Sequence, residues 1–99
     1  TYSYLENVLM SQRKILKIRS TIDTIDKKII KLLGLRKKQV LKIAKYKKKN
    51  TIVDKKRINQ IMKRIRAEAK KNKVDFVLVK NFWNKLIQYS IKLEKKIVK

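Results

Sequence analysis

The stretch IRSTIDTIDKKIIKLLGLRKKQVLKIAKYK, residues 18–47, decides the fold of this chain. Its apolar residues recur as Ile18, Ile22, Ile25, Ile29, Leu32, Val40 and Ile43, all within about 40° of one line at 100° per residue, the pattern of a helix that buries one face. Two cations, Arg36 and Lys47, fall within about 20° of the centre of that line. Charge on a face meant for a core is costly unless an anion lies beside it. The chain's acids, Glu6, Asp23, Asp26, Asp54, Glu68, Asp75 and Glu94, stand against 30 lysines and arginines, so an anionic ligand is the better candidate for that role. One such cation could simply lay its stem on the core and keep its charge in water. Two on one line, about three turns apart, favour a polar pocket.

Outward from this stretch the chain reads as all-α, with one very long N-terminal helix and two shorter ones. There is no proline and only one glycine, so nothing interrupts the periodicity from about Gln12 to about Lys49, and residues before Gln12 either extend that helix or fray. Gly34 is read as a tolerated small residue, with close backbone packing or substrate approach as the alternative. Asn50 to Val53 is a polar and β-branched break, and Asp54 is an N-cap for a second helix whose apolar face is Ile58, Ile61, Met62, Ile65 and Ala69. That face fades into the basic run Lys70 to Lys73. Asp75 caps a third helix, with Val79, Phe82, Trp83, Leu86, Ile87, Leu93 and Ile97 inward.

Ninety-nine residues suit one small domain, 1–99, whose core has little margin. A helix of nearly forty residues would span about 55 Å, roughly twice the width of such a domain. Its ends would carry apolar surface into water unless a second copy lay antiparallel against it, which implies a homodimer with shared sites.

The composition excludes several chemistries. Without cysteine or histidine there are no disulfides, no thiol nucleophile, no Ser-His-Asp hydrolase and few ways to hold zinc; neither a metal nor a cofactor is expected. No apolar run is long enough for a membrane span, and Tyr4 to Met10 is too short and polar for a signal peptide, so the chain reads as cytoplasmic. The net charge of +23 raises nucleic acid as a partner. However, lysine outnumbers arginine about fourfold and is spread along the whole chain, whereas specific readout leans on arginine's fork. Solvated helix faces with only non-specific nucleic-acid binding are the better reading, and a basic helical binding protein is the alternative.

The third helix repeats the oddity of the first. Ser90 lies near the centre of its apolar stripe and Glu94, one turn on, at its edge. Separately, Ser90 could bond the carbonyl one turn back and Glu94 could be an ordinary ion-pair partner. Beside two inward cations they look like parts of one site.

Arg19, the run Ile25-Asp26-Lys27-Lys28-Ile29-Ile30-Lys31-Leu32-Leu33, Arg36, Lys47, Asp54-Lys55-Lys56-Arg57 and Ser90-Ile91-Lys92-Leu93-Glu94 together resemble the all-helical class of chorismate mutase, over about residues 15–97. The resemblance implies an intertwined helical homodimer that rearranges chorismate to prephenate, an isomerase of aromatic amino-acid biosynthesis working without a cofactor. It implies that Arg36 and Arg57 hold substrate carboxylates and that Arg19 does so from the partner chain. Ser90 would support a carboxylate, Lys47 would donate to the ether oxygen, and Asp54 would sit by the ring hydroxyl. Two positions depart from the commonest family pattern. Ile58 stands where a glutamate often follows the arginine of the second helix, and Glu94 stands where a glutamine often faces the ether oxygen. An aliphatic residue at the first of these also occurs in the related isochorismate pyruvate-lyases, the alternative activity.

Overall fold

The computed structural model describes residues 2–98. Among them the elements are helix α1 (Tyr2–Ala44), a single 3-10 turn (Lys49–Thr51), helix α2 (Lys55–Lys71) and helix α3 (Phe76–Ile97), with no strand. This is the expected all-α chain of one long and two shorter helices. No helix is long and apolar enough to cross a membrane among the described residues.

The residues before Gln12 extend the first helix, the first of the two expected outcomes: it begins at Tyr2, because that segment holds good helix formers, among them Leu5, Glu6, Leu9 and Met10, and no breaker. The other end departs from expectation, at Ala44 instead of Lys49. There the backbone tightens to three-residue spacing, with the amides of Lys45, Tyr46 and Lys47 donating to the carbonyls of Lys42, Ile43 and Ala44 at 3.3, 2.9 and 3.4 Å. The turn serves the core: Ala44 and Ile52 become buried on either side of it. Continuing the helix would instead have stacked Lys45, Lys48 and Lys49 at three- and four-residue spacing, where like charges repel.

The chain divides into two units, one ending at Arg36 and the other starting at Lys37. In the first, the stripe read from the sequence is open: Ile18, Ile22, Ile25, Ile29 and Leu32 are all exposed. Leu33 and Arg36 are half-buried. A methyl group built on Gly34 meets no heavy atom within 4 Å, in keeping with a tolerated small residue.

The second unit holds the buried core, formed by Ala44, Ile52, Ala69 and Ile87, with α2 packed along α3. Both expected caps are present: Asp54 accepts from the Arg57 amide at 3.0 Å and Asp75 from the Val77 amide at 3.2 Å. The α2 face is the one expected, with Ile58, Ile61, Met62 and Ile65 half-buried and Ala69 buried. Arg66 lies over the Phe76 ring, 4.7 Å from its centroid, and joins the end of α2 to the start of α3. On α3, Trp83, Leu86 and Ile87 turn inward as expected, with Phe82 meeting Trp83 edge to face at 5.2 Å. Within this second unit three expected core residues are exposed, Ile43, Phe82 and Ile97; periodicity identified the apolar stripe but not how far neighbouring helices cover it.

Between α2 and α3 the chain closes a Schellman motif, in which the Val74 amide donates to the Ala69 carbonyl at 2.9 Å and that of Lys73 to Lys70 at 3.2 Å. Lys73 takes the left-handed conformation there, φ 56°, a place that usually falls to glycine.

Candidate active site

Lys47 is the first correction to the sequence reading. The helical count put it on the line of the α1 stripe, but α1 has ended before it, and the turn after Ala44 aims it at α3. Its Nζ donates to both oxygens of Glu94, at 3.3 Å to Oε1 and 3.1 Å to Oε2. The Lys47 side chain keeps 24% of its surface exposed and that of Glu94 only 8%. The charge on Lys47 is therefore met by one of the chain's own few acids, where the sequence favoured a ligand. Glu94, placed by periodicity at the edge of its stripe, is buried.

A buried carboxylate is stable in such a place only with a charge-assisted donor, and Lys47 supplies it. An ammonium carries three N–H groups, so the lysine can hold the carboxylate and still donate to a further oxygen. One turn before Glu94, Ser90 is also buried, and its Oγ donates to the Leu86 carbonyl at 2.9 Å, the back-bond that a helical serine commonly makes. Lys47, Ser90 and Glu94 thus form a polar group at the otherwise apolar inner face of α3.

The remaining candidates fall elsewhere. Asp54 and Arg57 are joined by the α2 cap, with the Arg57 side chain exposed on the first turn. Asp54 also borders a shallow hollow of about 410 Å³ lined with Asn50, Thr51, Val53 and Lys55. Ile58 is half-buried on the covered face of α2, so its apolar side chain has a packing role. Arg19, exposed, and Arg36, half-buried, lie on α1 in the first unit. A larger hollow, about 510 Å³, lies on the outer side of α3 among Lys85, Gln88, Tyr89, Ile91, Lys92 and Lys95 and includes none of the candidates.

What the sequence reading missed is the support beneath Lys47. Ile52 was counted with a polar break, yet it is only 5% exposed and with Ala44 fixes the turn from which Lys47 projects. The available signal was the β-branched aliphatic pair Ile52-Val53 directly after a run of lysine, asparagine and threonine.

The chain can now be set beside known proteins. Residues 18–95 match the family model described as chorismate mutase type II. The chain is 34% identical over 90 residues to a bifunctional chorismate mutase/prephenate dehydratase of Buchnera aphidicola subsp. Schizaphis graminum (strain Sg). That match takes in 89% of this chain but only 23% of the relative, so the chain spans about a quarter of the length of the curated protein it matches. No solved structure matches it. The matched region runs from α1 to the end of α3 and contains Arg19, Arg36, Lys47, Asp54, Arg57, Ser90 and Glu94, so the chain belongs to the chorismate mutase type II family.

Proposed function

We propose that the chain is a chorismate mutase that rearranges chorismate to prephenate as a homodimer, without metal or cofactor. The observation that carries this reading is the family match across residues 18–95. The polar group of Lys47, Ser90 and Glu94 on an apolar helix face supports it.

The reaction suits a chain without histidine or cysteine. A pericyclic rearrangement requires no nucleophile; the protein must hold the dianion in its compact reactive shape and stabilise the charge that grows on the ether oxygen as the bond breaks. In this reading Arg36 and Arg57 clamp the two carboxylates, and Arg19 of the second copy completes the clamp. Ser90 supports a carboxylate, and Asp54 lies by the ring hydroxyl. Lys47 directs an N–H at the ether oxygen while Glu94 fixes its position. Glu94 itself can donate to that oxygen only when protonated, because an ionised carboxylate accepts and does not donate. The dimer reading is supported by the exposed Ile18 to Leu32 stripe, which a second α1 would cover.

The test offers chorismate and isochorismate separately to purified protein with a chelator present. Prephenate from chorismate is the expected product. Salicylate and pyruvate from isochorismate alone would replace this reading with the lyase one. Turnover of neither, with tight and salt-resistant binding to a defined nucleic acid, would point to a binding protein.

A further inference from the structure

The first helix runs sixteen residues upstream of the family-matched stretch, from Tyr2 to Lys17, and this extension carries its own apolar seam. Val8 and Ile15 precede Ile22 and Ile29 at steps of seven residues, and Tyr4 stands seven before Ser11, which precedes Ile18, Ile25 and Leu32 at the same step. A seven-residue repeat differs from the 3.6-residue period of a lone surface helix, and over several repeats it keeps one seam facing another helix. The seam crosses the start of the matched region without a change of register. Ser11 is its one polar position between Tyr4 and Leu32.

Much of the seam is open: Tyr4 is 67% exposed, Ile15 47% and Ile18 60%, while Val8 is half-buried. Ile18, Ile22, Ile25, Ile29 and Leu32 alone make a narrow seam beside the roughly 800 Å² per partner of a standard stable interface, and Tyr4, Val8 and Ile15 lengthen it in the direction a second long helix would cover. The upstream residues share a register with the matched seam, so the surface that covers one should cover the other.

We propose that Tyr4, Val8 and Ile15, upstream of the family-matched stretch, pack against a second copy of this chain and supply a necessary part of the dimer contact. This rests on the dimer reading above. The experiment is sedimentation equilibrium of the full chain, of Val8→Glu/Ile15→Glu, and of Ser11→Leu, with helicity followed by circular dichroism. The charged pair should raise the dimer dissociation constant at least a hundredfold with helicity and kcat of the remaining dimer retained. Ser11→Leu fills the polar step of the seam and should tighten association about tenfold or more, a gain that misfolding cannot imitate. A natural chain that stays monomeric at every concentration would overturn both the dimer reading and this inference. A natural dimer whose association neither variant changes would overturn the inference alone.

Discussion

Lys47 and Glu94 bond each other at 3.1 Å in a place where only the lysine keeps appreciable contact with water, so each substitution has two consequences. Lys47→Ala leaves the carboxylate without its donor and should cost about 1–3 kcal/mol of stability. It should also lower kcat on the order of 10²–10³, as removal of a donor to developing charge does. Lys47→Met with Glu94→Gln separates the two effects: a neutral pair should recover most of the stability while kcat stays low. Urea unfolding beside chorismate kinetics checks this, and recovery of the rate with the stability would make the pair structural only. Glu94→Gln alone supplies a neutral donor of nearly the same shape. If Glu94 itself donates to the ether oxygen, the glutamine variant should match or exceed the natural kcat at saturating chorismate. A fall in kcat would leave Lys47 as the donor and Glu94 as its anchor.

At the scale of elements, the second unit is held by local devices that a sequence shows well. Asp54 and Asp75 each cap a helix by accepting an amide from its first turn, and alanine at either should cost about 1 kcal/mol. Asp54→Ala should cost activity as well if the cap positions Arg57, whereas Asp75→Ala should change stability alone. Lys73 offers the opposite sign. Its left-handed backbone at the Schellman turn suits glycine, so Lys73→Gly should stabilise by about 0.5–1 kcal/mol and raise Tm by a few degrees, with kcat/KM unchanged. A lower Tm would show that the lysine side chain contributes more than its backbone loses.

For the whole molecule, a buried core of Ala44, Ile52, Ala69 and Ile87 is small for 99 residues, while the stripe on the first half of α1 lies open. The dimer reading makes stability a function of concentration: Tm should rise as protein concentration rises, and a constant Tm over a hundredfold range would count against it. With +23 on each copy, added salt should also tighten association by screening repulsion. Arg19 has its own test. Mixing Arg19→Ala dimers with Arg36→Ala dimers and allowing exchange should restore about a quarter of natural activity, since half the dimers are hybrids with one intact site each. No recovery after verified exchange would place Arg19 and Arg36 in the same protomer's site or outside it.

What the sequence determined by itself was everything governed by local periodicity and capping: three helices, the long first one, the Asp54 and Asp75 caps, the buried face of α2, and Ser90 and Glu94 on one side of α3. These depend on neighbours within a few residues, and so a single chain shows them directly. Tertiary structure decided where α1 ends. That boundary depends on burying Ile52 and Ala44, a contact between segments that no helical count includes. The same contact moved Lys47 off the stripe and onto Glu94, 47 residues away in the chain, and so gave the lysine its anion. Periodicity identifies which face of a helix avoids water; only packing fixes which charge lies opposite another.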